Sequence, residues 1–185
     1  MRTLSLHTSL VIASIAAALL SATSTYAGPA SAAPGKEPVA ALGVEAPAGL
    51  TLVRRVQAGG AQLYSCRAAA DGSIAWTLVG PKALLFNDDG SDFGMHTSGP
   101  RWTATDGSSI LADGAHPLAR VERDGSIPAL ALRVVSSTGS GVLANIKEVT
   151  RNETEGGKAP AEGCDAEHQS AMIAKRYTAV YAFYR

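Results

Sequence analysis

An imidazole, an indole and a carboxylate follow one another closely in the string Gly94-Met95-His96-Thr97-Ser98-Gly99-Pro100-Arg101-Trp102-Thr103-Ala104-Thr105-Asp106-Gly107-Ser108. Two strands joined through Gly99-Pro100 would bring His96 and Trp102 to one rim of a fold. A His–carboxylate pair can move protons because an imidazole pKa can be placed near neutrality. His96 is therefore a candidate general acid or base, with Asp106 as its orienter. The other reading puts Trp102 in the core and His96 in a hydrogen bond to a turn. Asp106 would then accept backbone N–H groups, as Asp does in Asp-Gly turns. The sequence leaves both open. Arg101 joins His96 and Trp102 as a candidate binding rim.

Other chemistry has weaker support. A hydrolase needs a nucleophile beside a base. Ser108 or Ser109 could be nominated, but no G-x-S-x-G elbow occurs, nor the strand–turn–helix context it needs. The histidines His7, His96, His116 and His168 are scattered, with no H-x-H or H-E-x-x-H, so no metal is expected. Asn87-Asp88-Asp89-Gly90-Ser91-Asp92 has the carboxylate density of a calcium loop without the EF-hand pattern, and also reads as an acidic hairpin turn. Gly139-Ser140-Gly141 has no βαβ unit around it, so no dinucleotide cofactor is expected. Asn152-Glu153-Thr154 matches a glycosylation sequon, which matters only in a eukaryotic secretory route.

The elements that must position these residues read as β-strands. Short alternating runs are cut by Asp-Gly and other Gly-containing turns. Leu52–Gln57 precedes Gly59-Gly60, then comes Gln62–Arg67. Asp71-Gly72 separates that run from Ile74–Val79, which places Ile74, Trp76 and Leu78 on one face. Ala83–Phe86 and Phe93–Thr97 flank the acidic turn, and Arg101–Thr105 and Ser109–Leu111 flank Asp106-Gly107-Ser108. Ile127–Val135, Val142–Thr150 and Lys175–Tyr184 complete the set, with room for a short helix over Ala166–Ala174. About nine strands with short turns predict an all-β domain, either a closed barrel or a sandwich. The Gly-rich turns and alternating small and large residues favour the barrel-like form. Tyr64, Trp76, Tyr177, Tyr181 and Phe183 read as its aromatic core.

Length and composition bound the partners. The chain has 185 residues, which suits one domain. Its 16 basic and 16 acidic residues balance and do not cluster, so neither a nucleic-acid footprint nor a polybasic membrane patch is expected. Residues 1–27 read as a signal peptide. Arg2 supplies the positive start, Leu10–Leu20 the apolar run, and Thr25-Tyr26-Ala27 and Ala30-Ser31-Ala32 two cleavage sites between which the sequence does not choose. That run is shorter than the about 20 residues a membrane helix needs. Residues 28–48 are rich in Ala, Pro and Gly and read as a flexible leader, followed by one β domain over 49–185. No second apolar run of spanning length follows, so the exported protein is expected to be secreted or periplasmic. In an oxidising compartment the even pair Cys66 and Cys164 is most simply a disulfide.

The string from Gly94 to Ser108, with its ordered H-x-x-G-P-x-W-x-x-x-D-G-S, resembles a stretch of the secreted proteins grouped as domain of unknown function 3455. So do Gln62-Leu63-Tyr64-Ser65-Cys66-Arg67, Gly156-Gly157-Lys158-Ala159-Pro160, Gly163-Cys164-Asp165 and the Tyr181-Ala182-Phe183-Tyr184 ending. The resemblance runs from about residue 45 to the C-terminus. It implies a secreted β domain with Cys66 and Cys164 at matching positions, and it supplies no activity. Two positions depart from the family pattern. Thr97 stands where an aromatic often follows the His, and Ala129 where a Trp often follows Ile-Pro. If those aromatics line a ligand surface, this chain has lost part of it.

With no complete catalytic or cofactor motif, the leading expectation is a secreted binding or interaction module. Its partner would be a small molecule, since small-molecule sites favour barrel mouths, or a cell-envelope or extracellular component. An enzyme using His96 and Asp106 is the alternative, and an extracellular structural protein the third.

Overall fold

A computed structural model describes residues 43–185 of the protein. The expected signal peptide and most of the expected leader lie outside the described residues. Nine strands follow in order: β1 Leu52–Ala68, β2 Ile74–Phe86, β3 Asp92–Thr97, β4 Arg101–Ala104, β5 Ser109–Ala112, β6 Ala119–Arg123, β7 Ser126–Thr138, β8 Glu148–Gly156 and β9 Met172–Tyr184.

All neighbours are antiparallel, in the order β5-β4-β3-β2-β1-β9-β8-β7-β6, and a further β5–β7 pairing closes the sheet on itself. The result is the barrel-like form rather than the sandwich. β7 is long enough to take β6 along Ser126–Ala131 and β5 along Val134–Thr138. Eight strands thus make the ring and β6 pairs beside it. Closure pairs the β5 edge that an open sheet would present, and β6, paired only with β7, keeps its outer edge.

Strand boundaries differ from the sequence reading where glycine is not a turn. Gly59-Gly60 lies inside the continuous strand β1, paired with β2 on one side and β9 on the other. The reason is close approach. A Cβ on Gly60 would sit 2.3 Å from the Lys82 carbonyl oxygen, whereas one on Gly59 would meet nothing. Gly60 therefore spaces the strands instead of reversing the chain. Ile74–Val79 and Ala83–Phe86 likewise merge into β2, with a register shift opposite Leu63 and Tyr64. The expected strand Val142–Thr150 is displaced: β8 begins only at Glu148, because Ser140–Asn145 forms turns that drop Leu143 and Ile146 into the core. β6 was not expected, since its Ala-Arg-Val-Glu-Arg sequence carries one large apolar side chain. The expected helix over Ala166–Ala174 reduces to a single 3₁₀ turn, Ala166–His168, capped by Asp165.

Inward-facing residues fill one half of the barrel. Val56, Leu85, Phe93, Leu143, Val149 and Phe183 are buried there in one cluster with Ile110 and Trp102. Phe93 and Phe183 stack with centroids 5.8 Å apart, a geometry that adds to area burial. Tyr64, Tyr177, Tyr181 and Phe183 take the core positions expected of them, but Trp76 does not. The β1–β2 hairpin extends past the ring, leaving Leu78 55% exposed, while the Trp76 indole donates to the Glu162 carbonyl. The disulfide joins Cys66, near the end of β1, to Cys164 in the β8–β9 connection, with Cα atoms 5.3 Å apart. At the N-terminal end of the described residues, Val44 is bound through both backbone groups to the Asn152 side-chain amide. It packs against Ala129 and Ala131. The sequon asparagine is thus already engaged by the chain itself.

Candidate functional site

β3 and β4 place His96 directly opposite Trp102 in the register. Cross-strand neighbours on one face stand close enough for ring contact, and here both side chains point into the lumen. Their rings stack, and Tyr181 from β9 meets both edge-on, at 5.0 Å from His96 and 5.4 Å from Trp102. Gly94 makes the tight β3–β4 approach possible. Its φ is 155°, and a Cβ there would lie 2.0 Å from the Thr103 carbonyl oxygen. The Gly99-Pro100 bond that joins the two strands is cis.

These three rings form the floor of a cavity of about 700 Å³ that occupies the open half of the barrel. Ile127, Leu130 and Leu132 of β7 supply an aliphatic wall, and Gln62, Tyr64 and Arg151 a polar one. The mouth is bordered by Lys158, Arg120 and the Asp113–Ala115 loop. Two polar atoms of this lining, Trp102 Nε1 and Gln62 Oε1, are buried and lack a hydrogen-bond partner. Leaving such a group unsatisfied costs about 1–3 kcal/mol.

The electrostatics follow from burial. His96 Nδ1 is 2.9 Å from the Arg101 carbonyl. Because a carbonyl only accepts, Nδ1 carries the proton and Nε2 is left with a lone pair. Burial pulls the His96 pKa down to about 3, only partly opposed by the Arg101 hydrogen bond. The ring is neutral at physiological pH. Burial likewise raises the phenols of Tyr177 and Tyr181, so both stay protonated. Tyr64 donates to the Gly157 carbonyl at 2.7 Å, fixing the β8–β9 connection beside the mouth.

The sequence candidates do not all meet. His96 and Trp102 come together in the lumen. Arg101 contributes its carbonyl to His96, but its guanidinium reaches Ser109 Oγ and does not line the cavity. Asp106 is elsewhere. Its Oδ1 accepts from Ser108 N and Oγ, and its Oδ2 from Val142 N. Ser108 Oγ in turn accepts from Leu143 N. Asp106 and Ser108 therefore hold down the segment whose Leu143 plugs the filled half. Those hydrogen bonds, led by Ser108, also lower the Asp106 pKa.

In the acidic stretch Asn87–Asp92, Asp89 accepts from Ser91 N and Oγ, closing a hairpin turn. Among the described residues no three His, Cys, Asp or Glu side chains gather as a metal site. The departures at Thr97 and Ala129 leave the lumen untouched. Thr97 borders a shallow trough on the outer face, and Ala129 packs under Val44.

Arg151, Gln62 and Lys158 were not singled out from the sequence. Arg151 falls just past the strand expected over Val142–Thr150, so its inward parity was invisible. The available signal was period-two spacing from the inward Val149, which carries Arg151 to the same face.

A closed antiparallel ring, plugged at one half and hollow at the other, makes this an all-β barrel domain with an aromatic-floored internal cavity. The chain belongs to the family of proteins of unknown function termed DUF3455, whose model matches residues 47–185. No curated protein and no solved structure matches it.

Proposed function

We propose that the protein is an exported binding module that takes a small molecule into the hollow half of its barrel. One observation carries the reading: Trp102 Nε1 and Gln62 Oε1 are buried in the cavity wall without partners. A donor and an acceptor sunk among rings and aliphatic side chains are what a largely apolar pocket uses to orient a ligand. The neutral His96, with Nε2 as a lone-pair acceptor, adds a third polar contact. Export is supported by the N-terminal sequence pattern and by the disulfide, which persists in oxidising compartments.

Binding is favoured over catalysis for a chemical reason. A general base works best with a pKa near the operating pH, and His96 is held far below it. Asp106, its nominated orienter, is committed to the Ser108–Val142 turn contacts instead.

The test uses the two indole N–H signals of the ¹⁵N-labelled protein, assigned with a Trp76→Phe variant. Titration with 2-naphthylmethanol, a neutral ring-bearing probe, is expected to shift the Trp102 signal saturably and leave Trp76 unmoved. If neither this probe nor its 2-naphthoate and 2-naphthyl phosphate analogues moves Trp102 at millimolar concentration, the lumen reading fails.

A further inference from the structure

Charged groups in the cavity are not balanced locally. Arg120 pairs with Glu122 at the mouth, and Asp113 binds His116 and caps its own loop. Both carboxylates lining the cavity are thus engaged. Arg151 and Lys158 line the same cavity, and among the described residues neither forms an ion pair with a carboxylate. Lys158 is exposed at the rim, whereas Arg151 is half-buried on the lumen wall.

Arg151 is also held in place. Its Nε and Nη2 both donate to the Pro128 carbonyl, at 3.1 and 2.9 Å. A guanidinium has five N–H donors in a rigid fork, so this grip fixes its plane and leaves donors over. The remaining edge faces Tyr181, whose phenol feels the positive charge, as do Tyr64, Tyr177 and His96. Arg151 is thus a preset cation with no carboxylate partner among the described residues, beside the Tyr181 phenol and with the Trp102 indole N–H in the same lining. An oxyanion is the complementary partner, because arginine binds carboxylate and phosphate oxygens in parallel pairs.

We infer that the cavity takes a small amphiphilic oxyanion, its apolar ring-sized body lying against Leu130, Leu78 and Val135 of the lining and its single anionic head on Arg151. The inference rests on the lumen reading and adds the ligand's charge to it. Lys158 at the mouth attracts the incoming anion without holding it. A carboxylate and a phosphate monoester share this head-group chemistry, and the probes separate them.

Affinities of 2-naphthoate, 2-naphthyl phosphate, 2-naphthylmethanol and 2-naphthylmethylammonium, matched in body and differing in head, would be measured on the wild type. At least one anion is expected to bind about tenfold or more tighter than the alcohol, and the ammonium weaker than the alcohol. The better anion identifies the head group. Arg151→Gln is expected to reduce the anion-to-alcohol ratio to about one, while Lys158→Gln leaves most of it.

Because Arg151 also grips Pro128, the variant could loosen the fold. A wild-type measurement stands beside it: the Arg151 Nε–H signal should move with the bound anion and not with the alcohol. Equal binding of all four probes, or an anion that leaves Arg151 unmoved, overturns this inference while the lumen reading stands. Absence of binding by every probe overturns both.

Discussion

The rings of His96 and Trp102 lie face to face, their centroids 4.2 Å apart and their planes within 8° of parallel. Burial strips water from that position, and among the described residues no carboxylate pairs with His96, so the ring stays neutral. The unfolded chain takes up its proton near pH 6.5, whereas the folded chain does so only near pH 3. Between those values the unfolded state binds more protons, so stability rises with pH and declines as the solution is acidified. The limiting slope is about 1.4 kcal/mol per pH unit.

Urea denaturation at pH 7 and pH 5, read as the difference between wild type and a His96→Phe variant so that carboxylates such as the burial-raised Glu148 cancel, should reveal that slope. His96→Phe keeps a ring against Trp102 and removes the titration. The variant should be less stable than wild type at pH 7, having lost the Arg101 hydrogen bond, yet show a flatter profile between the two pH values. An unchanged slope would assign the acid sensitivity to some other group.

Asp106 separates the orienter role from the turn role. Asp106→Ala removes the acceptor for Ser108 and Val142 and should lower the melting temperature. The lumen is untouched, so 2-naphthoate affinity measured on the folded variant should match wild type. The Asp106 pKa is depressed, so its contribution is present above the ordinary carboxylate range and is lost on acidification through the folded value. A variant of normal stability that had lost ligand binding would restore Asp106 to the site.

The disulfide closes a loop of 98 residues in sequence separation. Chain-entropy reasoning gives such a crosslink about 4–5 kcal/mol through the unfolded state. Replacing both Cys66 and Cys164 by Ser should therefore lower urea-unfolding stability by up to about 5 kcal/mol. Treating the wild type with a reductant should give the same loss. An unchanged denaturation midpoint would mean that the crosslink does not constrain the unfolded chain.

Neighbouring glycines of β1 should respond oppositely. At Gly59 a methyl group meets nothing, while at Gly60 it meets the Lys82 carbonyl oxygen and Ala83 Cα at 2.3 and 2.4 Å. Gly59→Ala should stay within about 0.5 kcal/mol of wild type. Gly60→Ala should cost about 1–3 kcal/mol through overpacking. Similar values at the two positions would contradict the close β1–β2 approach.

Local chemistry was legible wherever a single turn decided it. Asp71-Gly72 and Asp106-Gly107 reverse the chain as their sequence predicts. The Cys66–Cys164 pairing joins distant strands and was legible for another reason, the even cysteine count. What the sequence hid depends on strands distant in the chain. Gly59-Gly60 has the composition of a turn, and only the nearness of β2 reveals it as a spacer. His96 and Trp102 were chosen for their chemistry and do meet, because a short hairpin is a local structure. Arg151 reaches the same cavity only through the β7–β8 and β8–β9 pairings. Its inward position depends on β8 beginning at Glu148 and running on past Thr150.

The strands of the ring are of very unequal length. β1, β2 and β9 run for 17, 13 and 13 residues, whereas β3, β4 and β5 have 6, 4 and 4. The cylinder accordingly has a long-staved side and a short-staved one. His96 and Trp102 stand on the short-staved side, while Tyr181 belongs to a long stave. The three-ring cluster therefore ties strands of four and six residues to one of thirteen, so the short side of the wall is anchored to the long side through side chains as well as through the sheet.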